Sequence, residues 1–527
     1  MKSLINDGAL SPHLPPEPDV EAPFTSAGLS EHPKKTIIMG AGPAGLTAAY
    51  ELAIHHNLSV TVLEKDPRYV GGISRTVEHG GYRFDIGGHR FFSKSKEVED
   101  LWTEILGDDL LVRPRLSRIF YNNKYFDYPL KASNALFNLG PIETVRCITS
   151  YIKARLFPTK DPQSFEEWVT NKFGDRLFQI FFKTYTERIW GMSTSELSAD
   201  WAAQRIKGLS LSSAILNALL PKGRAKGDAV IKTLIEEFRY PRFGPGQMWE
   251  RVQDRLIERG YPVQLGQTVT RITHDGKHVA SVTVSDPEGK TREISGTHFI
   301  STLPMRELVA ACNPALPEVV QHAARSLKYR DYFTVAIVVD KADVFPDNWM
   351  YLYDKNVQAC RIQNYKNWSP AMVADETKTC LGLEYFCFET DAIWQCSDSE
   401  LAARGGQELV HLGMCTAEQI VSAVVVRQLK AYPVYDDDYK MHLATIRDYL
   451  AIHLPNLQLV GRNGMHHYNN QDHSMMTALC AARNIAIDAG MDPWNVNTDA
   501  EYHEGVRDRE DTTGRQMPKR LPTSGAA

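Results

Sequence analysis

What this chain has little of narrows it first. No run approaches the roughly 20 uninterrupted apolar residues that a membrane-crossing helix needs, and the most apolar stretches, such as Tyr332 to Val339, have strand length. Basic residues are not in excess. The 59 Lys and Arg stand against 64 Asp and Glu, a formal charge of −5, so no global positive field exists to hold nucleic acid or an anionic bilayer. Cysteine is sparse and unpatterned: Cys147, Cys312, Cys360, Cys380, Cys387, Cys396, Cys415 and Cys480 include no C-x-x-C pair and no ligand-like histidine spacing. They read as reduced, buried thiols of a cytoplasmic protein rather than a disulfide framework or a metal site. Internal repeats and coiled-coil heptads are lacking as well. The ends carry little apolar material. Met1 to Pro33, rich in Pro, Ser, Glu and Gly, lacks the charged head and apolar core of a secretory signal and reads as a mobile arm, and 496–527 reads as a polar tail. The remainder, with 43% hydrophobic and 23% charged residues in a chain of 527, is ordinary globular material and excludes disorder for the bulk.

What is present begins with a dinucleotide pattern. Lys35 to Met39 is a short apolar β run, followed at once by Gly40-Ala-Gly42-Pro-Ala44-Gly45 and by Leu46 to Ile54, whose pattern predicts a helix. The first glycine permits a tight turn, the second admits a pyrophosphate to the backbone, and the third lets helix and strand pack, with phosphate at the helix N-terminus. A second predicted strand, Ser59 to Leu63, ends at Glu64, 24 residues after Gly40, where an acid can accept hydrogen bonds from a ribose. Alone, the glycine pattern is also a turn between two ordinary elements. Strand, turn, helix, strand and acid in that order form a fingerprint.

Two further glycine-dense segments follow, Gly71-Gly72-Ile73-Ser74-Arg75 and Phe84-Asp-Ile-Gly87-Gly88-His89-Arg90-Phe-Phe-Ser93. On local grounds they are either close backbone approaches to a ligand or a pair of hairpin turns. A paired glycine after the ribose acid, with an arginine just beyond, resembles flavoproteins of the amine-oxidase-like group. That resemblance implies FAD as the resident cofactor and an FAD domain to which later segments return. The acidic run Asp436-Asp-Asp438 has no second cluster at ligand spacing, so it reads as a solvated loop and no metal is expected.

From Lys34 to about Gly490 the chain resembles the UDP-galactopyranose mutases, and their eukaryotic-type branch more than the short bacterial one. The pieces that carry the resemblance are Gly87-Gly88-His89-Arg-Phe-Phe-Ser93, Tyr128-Pro129, Phe165-Glu-Glu-Trp168, Tyr185 to Trp190, Phe243-Gly-Pro-Gly246, Asn364-Tyr-Lys-Asn-Trp-Ser-Pro370, and Gly461-Arg462 followed by Asn470-Gln-Asp-His-Ser474. It implies an α/β architecture: a discontinuous Rossmann-like FAD-binding domain over 34–131, 238–304 and 437–495, a mainly helical insertion over 132–237 and a β-rich substrate domain over 305–436.

The resemblance further implies a reaction without net redox change, in which reduced flavin attacks the anomeric carbon of a nucleotide-linked sugar and the ring recloses at another size. NADPH or another reductant would be needed to reduce the FAD. The expected partner is a small molecule, a nucleotide sugar, with no nucleic acid and no membrane span; the oligomeric state stays open. Implied cofactor contacts are Gly40, Gly42, Ala44, Gly45, Glu64, Lys65, Gly72, Ile73, Ser74, Gly88, His89, Val269, Gly461, Asp472, His473 and Ser474, the last group at the start of a helix expected over Met475 to Ala489. Implied substrate contacts are Tyr128, Tyr185, Arg188, Tyr351, Asn364, Tyr432 and His467, with His89, Arg361 and Lys183 as catalytic candidates. Tyr351 and Arg361 also read as a rim tyrosine and a surface arginine, and Tyr432 and Tyr128 as packing aromatics.

Two departures from the family stand out. Lys183 occupies an arginine position, and His467 falls near the place expected for a second diphosphate arginine, where a neutral imidazole binds phosphate poorly. The competing reading is an FAD oxidase or dehydrogenase of the amine oxidase or protoporphyrinogen oxidase type, which shares the FAD domain.

Overall fold

A parallel sheet stands at the centre of the dinucleotide half. In this computed structural model, which describes residues 33–128, 130, 132–199 and 237–496, its strands run in the order Leu457–Leu459, His298–Ser301, Lys35–Met39, Ser59–Leu63. Ile38 pairs with Ile300 on one side and Val62 on the other, so three distant segments build one sheet. The helix Pro43–Tyr50 leaves the first strand and widens into a π turn over Glu51–His55. Against it packs the long helix Gln471–Ile487. Ala44, Ala48 and Ala49 of the first meet Ala478, Ala481 and Ala482 of the second, small residues that let two helix axes approach closely. The second helix starts four residues earlier than its sequence pattern predicts, because Asn470 caps it and brings Asp472, His473 and Ser474 into its first turn.

The other large layer is a seven-stranded sheet ordered Ile420–Pro433, Tyr329–Val339, Thr379–Cys387, Arg361–Asn364, Trp349–Leu352, Ser117–Tyr121, Lys124–Asp127. Its strand Tyr329–Val339 is buried along its whole length. Phe333, Val335, Ile337 and Val339 face a core shared with the helix Asp398–His411, whereas Tyr332, Ala336 and Val338 face the glycine-rich loops. The period of two gives the strand a dry face and a face that looks onto the dinucleotide half. Two strands of this sheet, Ser117–Tyr121 and Lys124–Asp127, come from the segment that the sequence assigned to the first part of the FAD-binding domain.

Against the seven-stranded sheet, at its Lys124–Asp127 edge, packs a helical segment: Ala132–Leu139, Pro141–Leu156, Phe165–Phe173, Asp175–Phe178, a π turn over Gln179–Lys183, and Thr184–Trp190. The apolar pattern from Phe165 to Phe182 predicts one amphipathic helix. Gly174 divides it, with φ of +81° and a backbone so near Tyr151 that a Cβ would lie 2.6 Å from the Tyr151 amide. The rest of the predicted insertion, 200–236, and the N-terminal arm and polar tail, apart from Pro33 and Val496, lie outside the described residues. Among the described residues no helix is long and apolar enough to cross a membrane.

Candidate active site between the glycine loops and the seven-stranded sheet

The cradle is made of backbone. Gly40 turns the chain with φ of +104°, and a Cβ there would lie 2.0 Å from Thr302 Oγ1. At Gly45 a Cβ would meet the Gly40 carbonyl at 1.9 Å, so any side chain would push the helix off the strand. No side chain caps this helix: Gly42 is the N-cap, and the first-turn amides are offered to a ligand. The Gly71-Gly72 turn is tied to the first loop by the Gly71 amide bonding to the Ala41 carbonyl at 2.8 Å, and a Cβ on Gly72 would come within 3.3 Å of Gly42 Cα. Ile73 and Ser74 continue this turn, and Ser74 is buried. Arg75 closes the far side, donating from Nη1 to the Gly72 carbonyl and to Gln428 Oε1, both at 2.9 Å. Gly461, at φ of +81°, abuts Ala44, to whose Cβ an added methyl would come within 2.9 Å. These glycines leave a slot bounded by amides, which fits a pyrophosphate.

Other expected cofactor positions differ in what occupies them. The Glu64 carboxylate accepts the amides of Ala41 at 2.7 Å and Asp66 at 2.9 Å, and so holds the turn as well as facing the cradle. His473 is fully buried, and its Nδ1 accepts the Asn470 amide at 3.2 Å as a helix cap. Asp472 accepts from Ser93 Oγ at 3.3 Å, and Ser474 is buried in the same helical turn. Lys65 is exposed, and Val269 packs against the apolar cluster behind the sheet.

The second glycine loop carries His89. Below it Asp85 is fully buried and accepts hydrogen bonds from Thr76 Oγ1 at 2.9 Å and from the Tyr240 hydroxyl, while Tyr365 OH donates to its backbone carbonyl at 2.9 Å. Burial pushes the Asp85 carboxyl up to about 7, against the pull of its two donors. Gly87 and Gly88 carry the chain over Trp368 and Gln363. His89 Nε2 donates to the Ile86 carbonyl at 2.8 Å. Burial depresses its pKa to about 4, and the nearby charges of Arg462 and Arg361 act in the same direction. The imidazole is therefore neutral at neutral pH, with its proton on the nitrogen that faces Ile86.

Facing these loops, the seven-stranded sheet gathers arginines and phenols. Tyr351 and Arg361 are direct cross-strand partners. Arg361 Nε bonds to the carboxylate of Glu384, which is 1% exposed and also accepts from Gln363. Burial opposes the guanidinium charge, but the Glu384 carboxylate outweighs it and keeps Arg361 ionised. With Nε held, the outer edge of the fork is turned toward Tyr432, whose hydroxyl lies 3.5 Å from Nη2. Tyr128 lies 4.5 Å and Tyr185 5.5 Å from the Tyr351 ring, and Tyr185 stacks on Tyr353 at 5.1 Å. Burial raises the pKa of Tyr185, Tyr351 and Tyr432, so each phenol keeps its proton and can donate it.

Arg462 completes the group. Its guanidinium lies over Tyr432 at 5.3 Å and Tyr468 at 4.7 Å, anchored by Nε to the Asn469 carbonyl at 2.9 Å and by Nη1 to the Ala431 carbonyl at 3.1 Å. His467 is half-buried, and burial lowers its pKa, so it is a weaker candidate for a phosphate-binding cation than a guanidinium. The second guanidinium is supplied five residues earlier, from the short helix Gly461–Gly464. His466, at φ of +45°, reverses the chain so that Tyr468 returns beside Arg462. Arg90, 4.8 Å over the Trp349 ring, adds a third cation near Tyr351. Arg462, Tyr468 and Arg90 were missing from the expected site. Their signal in the sequence was position: Arg90 and Arg462 sit inside motifs already singled out for glycines or family likeness, and Tyr468 lies between the two pieces of the last of these.

Three expected residues fall elsewhere. Lys183 Nζ lies 4.0 Å from both Glu166 and Glu187, carboxylates that also accept from Thr194 Oγ1. It belongs to the internal bracing of the helical segment, not to the arginine group. Asn364 alternates to the opposite side of its strand from Arg361 and Gln363, is 2% exposed, and donates to the Phe345 carbonyl at 3.1 Å. Arg188 donates to the Asp354 carbonyl at 2.8 Å and lines a cavity of about 380 Å³ with Lys355, Gln358, Cys360 and Phe386, the last being the ring over which Arg361 lies.

Comparisons with known proteins give a family and a fold. The model of the family described as flavin containing amine oxidoreductase matches residues 43–425. The dTDP-fucopyranose mutase of Escherichia coli is 29% identical over 174 residues, covering 32% of this chain and 44% of that protein. A protein named "Probable UDP-galactopyranose mutase" from Klebsiella pneumoniae is 27% identical over 177 residues, again 32% and 44%. The chain thus aligns with less than half the length of these curated relatives. The solved structure of reduced UDP-galactopyranose mutase superposes with a TM-score of 0.74 at 22% identity, covering 86% of this chain and 94% of that one, a likeness of fold.

Proposed function

Because this chain belongs to the flavin-containing amine oxidoreductase family, with FAD as its cofactor, we propose that it is a mutase that interconverts ring forms of a nucleoside-diphosphate sugar. The observation that carries this reading is the convergence of Arg361 and Arg462 on Tyr432, across from the glycine cradle. Two guanidiniums ringed by protonated phenols are matched to a diphosphate. An oxidase acting on a cationic amine has no use for them.

The residues at the cradle fit FAD: Gly40, Gly42, Gly45 and Gly72 leave a side-chain-free slot against uncapped helical amides. Bound there and reduced, FAD would supply the nucleophilic ring nitrogen that attacks an anomeric carbon. The protein's part is positioning and exclusion of water. Glu384 fixes Arg361 so that its outer nitrogens face the diphosphate, and the Ala431 and Asn469 carbonyls fix Arg462. Tyr128, Tyr185, Tyr351, Tyr432 and Tyr468 donate neutral hydrogen bonds while their rings wall off water. His89, neutral and held by Ile86, presents its loop without adding charge.

The test is a titration of dithionite-reduced holoprotein with UDP- and dTDP-linked hexoses, followed by product analysis for furanose and pyranose forms. We expect an anaerobic interconversion without consumption of reductant. Rapid oxygen consumption with peroxide release, and no perturbation of the flavin spectrum by any nucleoside diphosphate, would establish the oxidase reading instead.

A further inference from the structure

The helix Pro141–Leu156 carries one acid, and that acid is turned inward. Glu143 accepts from Arg176 at 2.7 Å and from Arg146 at 2.6 Å, on the side where Cys147 and Ala154 are buried. The outward side is apolar. Ile142 is 70%, Val145 60%, Ile152 50% and Leu156 67% exposed, and Phe137 in the helix before and Phe157 just after are 87% and 78% exposed. Scattered exposed apolar residues need no explanation, but these are contiguous. At about 100° per residue, positions 142, 145, 149, 152 and 156 fall within an arc of about 80°. Thr149, the polar member, commits its hydroxyl to the Val145 and Arg146 carbonyls at 3.0 Å each, so it presents its methyl.

Cations border this arc on both edges, Arg146 and Lys153 along one and Arg155 along the other. Arg146 shares its single carboxylate with Arg176, and Lys153 and Arg155 have no carboxylate partner among the described residues. From 132 to 162 the only acids are Glu143 and Asp161, against Arg146, Lys153, Arg155 and Lys160. The overall charge of −5 thus conceals a local basic rim around an apolar stripe with aromatic ends.

We propose that this face docks on an anionic lipid surface, with the helix lying flat and its stripe buried about 5–10 Å deep at the boundary of headgroups and acyl chains. A leaflet offers apolar chains under the stripe and phosphates to both edges at once, which Lys and Arg reach by extending along the helix flank. A second copy of the same face would instead set cations against cations. The helix of 16 residues, about 24 Å long, is too short to span a bilayer and has the length and pattern to lie in its surface. It is also formed in advance. The Glu143 bond to Arg176 and the close approach of Gly174 to Tyr151 hold it to the helices Phe165–Phe173 and Asp175–Phe178, so docking need not order it.

The test is flotation of full-length holoprotein, followed by its flavin, with vesicles of phosphatidylcholine alone or containing about 30% phosphatidylglycerol. Each rim cation contributes about fivefold near an anionic surface, so the mixed vesicles should bind on the order of 10²-fold more tightly than the neutral ones. That binding should weaken about tenfold between about 0.05 and about 0.5 M salt. Ile152→Glu should abolish flotation and Lys153→Glu should reduce the affinity about tenfold or more, with flavin content and melting temperature unchanged in both. Phe157→Trp should add an emission that brominated lipid quenches on binding. Failure to float with the mixed vesicles, whether because 200–236 or a second copy covers the stripe, overturns the proposal. So does binding that neutral vesicles support equally well or that Ile152→Glu leaves unchanged, and so does flotation without quenching of the tryptophan introduced at position 157.

Discussion

The glycine cradle and the arginine and tyrosine group face each other across one cleft, yet they are built by opposite means. The cradle is backbone, contributed by short contiguous motifs, and its specificity lies in what is missing: a Cβ at Gly40 or Gly45 collides within 2.0 Å of its neighbours. The opposing group is side chain, with Tyr128, Tyr185, Arg361, Tyr432, Arg462 and Tyr468 drawn from separate elements and aligned by strand register and by one chain reversal. A backbone site fails when atoms are added. A side-chain site fails when the shape of a charge is changed.

Mutations can set the two against each other. The largest effect is expected from Gly45→Ala, whose methyl has no room against the Gly40 carbonyl: a loss of about 3 kcal/mol or more of stability, read as loss of bound flavin absorbance and a lowered Tm. Next comes Arg361→Lys, which keeps a cation beside Glu384 but removes the fork. It should leave the flavin spectrum intact and weaken UDP binding by on the order of 10²-fold, about 3 kcal/mol, by titration of the reduced protein. The lysine is a better probe than alanine, because alanine would strand a buried carboxylate. Arg462→Lys should cost about tenfold in the same titration, and His467→Ala almost nothing; the reverse order would restore His467 as the phosphate ligand. Lys183→Met should lower stability by about 1 kcal/mol or less and leave UDP affinity unchanged.

The support beneath the cradle is open to a pH test. An unfolded chain releases the Asp85 proton near 3.8, whereas the folded protein keeps it to about 7. The native state therefore binds the extra proton in that window, and stability falls as pH rises through it. His89, His298 and His466, each depressed to about 4, act oppositely: the unfolded chain takes up protons below about 6.5, so their contribution is lost as pH falls. Comparison with Asp85→Asn separates the two. The Tm of the variant should gain on that of the wild type steadily from pH 4.5 to 7.5, and parallel curves would show that Asp85 does not titrate there.

The α/β dinucleotide half was legible because its determinants are local. Gly40 to Gly45, the flanking strands and Glu64 lie within thirty residues, and each demands its neighbours' conformation. The arginine group was legible only in pieces. Tyr351 and Arg361 become cross-strand partners through a hairpin, but no spacing along the chain says that Arg462 shares a pocket with Tyr432. Lys183 read as a site residue because it occupies an arginine position of the family, although in the fold Glu166 and Glu187 hold it within the helical segment. Asn364 read as a site residue too, and strand alternation turned it away.

By itself, then, the sequence determined where backbone must come close to backbone, since a glycine's freedom and a helix terminus are properties of consecutive residues. It also determined the family, and with it FAD. Which charges meet was decided only by the tertiary structure. Glu384 aims Arg361, the turn at His466 delivers Tyr468 to Arg462, and Glu166 and Glu187 hold Lys183. A side chain's electrostatic role depends on which distant residues fill the few ångströms around it, and those neighbours are set by register and packing rather than by adjacency in the chain.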